Sequence, residues 1–240
     1  MNFNNLPAAI SQNIANKILE VVSVFENSHK QGHYDAYVVY KDKKINDLAY
    51  RQITFGRFQT TEFGNLKKLI QMYIAANGIH KAAFLPYVDK IGVIEIGVPK
   101  SLFEDSTFVN TLKKAGKEDP IMARVQEEFF EIVYFKPAMA WFELHQFTEP
   151  LSLLVIFDSY IHSGGIKTSL RKKFAEYPPN LGGDEKKWIT QYVAARHAWL
   201  SSYDIPEVRA SKYRTQVFKN LIASENWNLS NPFIAQGITF

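Results

Sequence analysis

The segment Pro150 to His162, PLSLLVIFDSYIH, constrains the fold more than any other stretch of the chain. Its opening proline suits a first helical turn, and Gly164-Gly165 follows as a stop signal. Between these signals the helix is apolar nearly all round. Such a helix has no face to give to water, so it predicts a central element wrapped by other helices. The longest unbroken apolar run, Leu151 to Phe157, is seven residues. A bilayer span needs roughly 20, so the segment belongs to a protein core. Asp158 interrupts it. A buried carboxylate must be paired or hydrogen-bonded, because desolvating an unpaired one is costly. The expected partners are arginines on other helices. Arg196, one turn beyond Tyr192 on an apolar face, comes first, with Arg209 and Arg214 after it. A buried ion pair that holds helices in register and a group that tunes a catalytic residue are compatible readings of Asp158.

The remaining pattern supplies the wrapping. Ile10, Ile14, Ile18, Val21 and Phe25 recur at helical spacing, which predicts a helix over 8–25 with Pro7 at its start. A second helix opens near Gly64 or Asn65 and closes at Asn77-Gly78. Asp119-Pro120 caps a third, which carries Val125, Phe129 and Val133. Gly182-Gly183-Asp184 caps one with Trp188, Tyr192 and Trp199, and a last helix spans about 209–223. The four tryptophans read more readily as core than as sugar platforms. The tail from Asn226 looks irregular. Only residues 34–42 and 49–55 read as strands, joined by a polar turn and ended by Gly56. The 240 residues, 46% hydrophobic and 14% aromatic, argue for one large domain or two small lobes and against disorder.

Several chemistries are excluded or lack a signal. The chain has no cysteine, which rules out disulfides, thiolate metal sites and a cysteine nucleophile. His29 and His33 are four apart but have no third ligand. No phosphate loop and no nucleophile elbow occur. The net charge of +4 is mild, and Arg171-Lys172-Lys173 is a short cluster that reads as a solvated face. No nucleic-acid partner, no membrane partner and no metal or organic cofactor is expected. The start MNFNNLPAAISQ carries no signal-peptide pattern.

Carboxylates are the chemistry that remains. Glu26 follows the last apolar position of the first helix. The helix macrodipole disfavours negative charge there, which favours a proton donor over a permanent anion. The hairpin that follows carries Asp42, Asp47 and Thr54. A glycosidase needs an acid and a second carboxylate flanking the scissile bond, and a helix end facing a hairpin can hold two carboxylates apart. Spacing alone leaves the pair open, since most Asp and Glu side chains are solvated surface groups.

At Val24-Phe25-Glu26-Asn27 the chain resembles the family 46 glycoside hydrolases, the bacterial chitosanases of the lysozyme-like superfamily. The likeness continues through ITFGRFQTTEFGNL (53–66), DPIMARVQEEFFEIVYFKPAM (119–139), FDSYIHSGG (157–165), GGDEKKWITQYVAARHAWL (182–200) and VFKNLIASENWNLSNP (217–232). No single piece is specific; the pieces in order make the match.

The resemblance implies a mainly α (α+β), two-lobed, lysozyme-like fold with a small β-hairpin sheet lining an active-site cleft. It implies one catalytic domain over 1–240, with a smaller lobe over about 27–75 and a larger helical lobe from the remainder. It implies an inverting endo-hydrolase acting on β-1,4 linkages in chitosan, with Glu26 as general acid and Thr54 holding the attacking water. The general base matches Asp42, at the end of the first strand. The family's short Asp-Gly-Arg-Gly turn is replaced by KKINDLAYRQI, which brings in Asp47 as the alternative base. A substrate-binding aspartate of the family falls on Asn65, so a charge for a glucosamine amine is lost. Asp158, Arg196 and Arg209 match a supporting network of the family. Inversion requires roughly 6.5–9.5 Å between the carboxyls. The family implies extracellular action on a polysaccharide, and a monomer is expected. Asp35, Asp42, Asp47 and Glu62 would supply acidity for a cationic polymer despite the basic net charge. The alternatives are a muramidase on anionic peptidoglycan and a non-catalytic glycan-binding protein on the same scaffold.

Overall fold

The computed structural model describes residues 6–30, 33–46 and 48–240. It is mainly helical with small antiparallel sheets. The chain divides into two compact units, one of residues 26–130 and one of residues 1–25 with 131–240.

Helix α1 (Gln12–Asn27) reaches from the second unit into the first. It starts four residues later than the periodicity predicts. Pro7 lies in a turn closed by the Ile10 N–H on the Pro7 carbonyl at 2.8 Å. Ser11 Oγ then accepts from the Ile14 N–H at 3.3 Å, as an N-cap serine does. Ile18, Val21, Val22 and Phe25 are buried along one face.

In the unit of residues 26–130, β1 (Tyr37–Ile45), β2 (Leu48–Phe55) and β3 (Thr60–Thr61) form an antiparallel sheet in that order. The pairing of β1 with β2 slips between Tyr40 and Lys43. Tyr40 faces Gln52 and Lys43 faces Tyr50, so Lys41 and Asp42 together oppose Arg51. This is a β-bulge, a device that bends a strand and re-aims its side chains. Gly56 ends β2 at φ +81, and a Cβ there would collide with Gln126 Oε1. A π-helical turn (Glu62–Leu66) leads into α2 (Lys67–Ala75), followed by α3 (Lys81–Phe84), the two-stranded ribbon β4 (Ile94–Glu95) and β5 (Val98–Pro99), α4 (Ser106–Glu118) and α5 (Pro120–Phe130). The two-residue strands of the ribbon are too short to carry a readable period. Asp119 caps α5 through the Ile121 N–H at 2.9 Å, and its other oxygen accepts from the Ile79 N–H at 2.7 Å and from the Tyr73 hydroxyl. Because α2 packs on α5 and α3 on α4, this unit runs to residue 130 and not to about 75 as the sequence predicts.

In the other unit, a π-helical turn (Glu131–Phe135) precedes α6 (Lys136–Leu144), α7 (Pro150–Ser163), α8 (Thr168–Arg171), α9 (Glu185–Ser201), α10 (Pro206–Ala210), α11 (Tyr213–Ala223) and the ribbon β6 (Ile234–Ala235) with β7 (Ile238–Thr239). Pro137 cannot donate to the carbonyl four residues back, which accounts for the widened turn before it. Every residue of α7 from Pro150 to Ser159 is buried. Gly164 closes it at φ 73, in the left-handed region that glycine adopts without strain. The helix expected over 209–223 breaks at Ser211-Lys212 into α10 and α11, with Pro206 opening the shorter piece. No helix among the described residues is long and apolar enough to cross a membrane.

Candidate active site

The hairpin is rooted on α5. Gln126 Nε2 donates to the Tyr34 carbonyl at 2.8 Å, just before β1, and Gln126 Oε1 accepts from the Arg57 N–H at 2.9 Å, just after β2. Glu127 accepts from the Tyr34 hydroxyl at 2.8 Å and pairs with the Arg57 guanidinium. One turn of helix thus holds both ends of the hairpin, and the strands carry their side chains from a fixed base.

Asp42 is half-buried at the bulge. Its Oδ1 accepts from Gln52 Nε2 at 2.6 Å. Gln52 is 5% exposed, and its Oε1 accepts from the Phe63 N–H at 3.2 Å. Thr54 lies two residues beyond Gln52 on the same face of β2. It is buried, and its hydroxyl has no hydrogen-bond partner among the described residues. Buried hydroxyls normally bond something. Asp47 lies outside the described residues. Asn65 is half-buried in the π-helical turn after β3.

Glu26 sits in the last turn of α1, half-buried, and belongs to the same unit as Asp42 and Thr54. The turn before it is anchored through Phe25. The Phe25 carbonyl accepts from Arg214 Nη2 at 3.0 Å and from the Tyr213 hydroxyl. The Phe25 ring meets Tyr213 and Phe218 edge-on. A guanidinium on the last carbonyls also suits the negative end of the helix.

Asp158 is fully buried, and so is Arg196. Arg196 Nη1 donates to Asp158 Oδ2 at 2.6 Å, and Arg214 Nη1 donates to Asp158 Oδ1 at 2.8 Å. Burial alone would raise this carboxyl; the two guanidinium charges outweigh it and hold the pKa below the usual carboxylate value. The expectation of Arg209 in this network is corrected. Arg209 is exposed on α10, and its guanidinium reaches the Tyr203 carbonyl at 3.4 Å. The break between α10 and α11 carries Arg214, not Arg209, to the carboxylate.

Two residues of this region were not singled out as site residues in the sequence. Gln52 could have been found, since it shares the alternation of Thr54. Glu62 is 1% exposed, which removes it from the local surface acidity expected of the hairpin region. Its Oε2 accepts from the Ile53 N–H at 3.2 Å and from the Ser101 hydroxyl, and its Oε1 from the Leu102 N–H at 2.8 Å. Burial pushes its pKa up, and these three bonds offset only part of that. Nothing in the short stretch Thr60-Thr61-Glu62-Phe63 signals a buried acid.

The chain matches the model of glycosyl hydrolase family 46 over residues 20–233. Comparison with curated proteins gives no match. Among solved structures, a native chitosanase from Bacillus subtilis is similar with a TM-score of 0.78 at 20% identity, over 96% of this chain and 98% of that one. A Gynuella sunshinyii family 46 chitosanase in complex with chitotetraose is similar with a TM-score of 0.80 at 22% identity, over 96% and 98%. The likeness to these structures establishes the fold. The family match covers Glu26, Asp42, Thr54 and the buried Asp158 network, and most of the sequence on either side of them: the chain belongs to glycosyl hydrolase family 46.

Proposed function

We propose that the chain hydrolyses β-1,4 linkages within chitosan with inversion at the anomeric carbon. Glu26 protonates the glycosidic oxygen. Asp42 deprotonates a water held by Thr54, and that water attacks from the opposite face of the sugar. The observation that carries this reading is the bulge at Lys41–Asp42, which gives one carboxylate of β1 a fixed hydrogen-bonded seat on Gln52, two residues before Thr54 with its unpartnered hydroxyl. Family membership supports the reaction class, and the oligosaccharide bound to the Gynuella enzyme supports the substrate class. Asn65 and the buried Glu62 leave fewer surface carboxylates for a polyamine than the sequence reading assumed. Family membership supports action outside the cell.

The test is to incubate the protein with chitosan and with peptidoglycan and to follow reducing ends, with the anomer of the first product read by NMR. Release from chitosan with inverted configuration is expected. Release from peptidoglycan alone assigns the muramidase reading instead. Glu26→Gln is expected to lose at least about 100-fold in kcat. Asp42→Asn is expected to fall comparably and Asp47→Asn to stay near the parent; the reverse pattern moves the base to Asp47.

A further inference from the structure

The bulge that aims Asp42 leaves its carboxylate half-buried with charged groups on several sides. Lys41 and Lys43 flank it on β1, Arg51 opposes it on β2, and Glu62 lies on the π-helical turn. Arg51 is drawn over the Phe103 ring, with its guanidinium carbon 5.5 Å from the centroid. Glu62 is engaged by Ile53, Ser101 and Leu102. The group hydrogen-bonded to the carboxylate is the uncharged Gln52.

A glutamine amide can be turned either way, and which end faces a neighbour follows from its other partner. Here the Phe63 N–H can only donate, so it fixes Oε1 towards itself and the amino group towards Asp42. The Phe63 N–H is itself held. Glu62, the residue before it, grips the Ile53 N–H, the residue after Gln52. The π-helical turn and β2 are thus locked together by two reciprocal bonds, and Gln52 projects from that lock.

We infer that Gln52 is a positioning residue, which fixes one oxygen of Asp42 as an acceptor and leaves the other oriented for a water's proton. The inference rests on the reading of Asp42 as general base. A neutral donor suits this task, because it orients a base without the countercharge that would weaken its basicity.

Gln52→Glu isolates the contact. The replacement has the same shape and keeps an acceptor for the Phe63 N–H, but near neutral pH it lacks the donor and faces Asp42 with like charge. We expect kcat on chitosan to fall about 10- to 100-fold, the scale of a misplaced reacting group, with KM within about twofold and the thermal midpoint close to the parent. We further expect the ratio of variant to parent kcat to rise as the pH is lowered from about 7 to about 5, since a protonated Glu at this position donates again. A structural role would move neither the kcat–KM split nor that ratio. Gln52→Met, uncharged and of similar length, is expected to lose kcat without the pH-dependent recovery, and serves if the first variant does not fold. Asp42→Asn is measured in parallel. If it is inactive while the Gln52 variants keep parental kcat, the positioning role alone is overturned. If Asp42→Asn is active, the assignment of the base falls and the positioning role with it.

Discussion

The unit of residues 26–130 buries Glu62 and Asp119 and the other unit buries Asp158, and of these Glu62 and Asp158 are stabilised in opposite ways. Asp158, within the unit of residues 1–25 and 131–240, sits between two guanidinium groups. Glu62, within the unit of residues 26–130, accepts from two peptide N–H groups and a serine. Both are desolvated, and desolvation pushes both carboxyls up. Two full charges reverse the shift at Asp158; dipoles fail to reverse it at Glu62. Burial by itself therefore does not predict whether an acid in this fold is charged; its partners decide too, and at Asp119 hydrogen bonds from Tyr73 and the Ile121 and Ile79 N–H groups lower the carboxyl pKa despite burial.

The largest expected effect is at Asp158. Asp158→Asn leaves Arg196 buried without its countercharge. Breaking a buried pair in this way costs about 3–5 kcal/mol, to be read from denaturant unfolding. A loss under about 1 kcal/mol would mean that the guanidinium groups are hydrated or paired elsewhere, and the contrast with Glu62 would vanish. Part of this was legible in the sequence. An aspartate inside PLSLLVIFDSYIH has to be paired, and Pro150 and Gly164 mark the helix ends by chemistry that tertiary contacts do not override. The hairpin was legible for the same kind of reason, through alternation and Gly56. The bulge at Lys41–Asp42 was not, because a one-residue slip leaves both strands looking regular. Nor were β4 to β7, where two-residue strands are fixed by turns at Ile96-Gly97 and Gln236-Gly237 with positive φ.

A smaller effect is expected at Glu62. Glu62→Gln keeps the shape but replaces one acceptor oxygen with a donor, so one of the three incoming bonds is lost. The cost is about 1–2 kcal/mol, that of one buried group left unpaired. The pH dependence sharpens the comparison, because the signs differ. Asp158 has a depressed folded pKa, so its contribution is full above the unfolded value and is lost as pH falls through the folded one. Glu62 has a raised folded pKa, so the native state holds its proton more tightly. Its contribution is full below the unfolded value of about 4.3 and declines as pH rises through the folded value. Stability of the parent minus that of Glu62→Gln should therefore fall with pH just above that value. The same difference for Asp158→Asn should rise with pH below about 4. Equal slopes would show that the two sites share one kind of stabilisation.

The smallest expected effect tests where the charged site ends. Arg209 and Arg214 are five positions apart, and sequence alone offered both as partners of Asp158. On one continuous helix over 209–223, five positions turn the side chains well away from each other, so only one of them could face the carboxylate. The break at Ser211-Lys212 decides which: α11 carries Arg214 inward to Asp158 and to the Phe25 carbonyl, and α10 leaves Arg209 in solvent beside Tyr203. Arg209→Ala is expected to change stability by no more than about 0.5 kcal/mol, the range of ordinary surface substitutions. Arg214→Ala is expected to approach the cost of Asp158→Asn, because it uncovers the same carboxylate and also releases the last turn of α1 before Glu26. A double replacement of Asp158 and Arg214 should cost less than the two single losses combined, since each removes the penalty that the other leaves behind. Additive losses would show that Arg214 acts on α1 independently of the carboxylate, and the buried site would then be the Asp158–Arg196 pair alone.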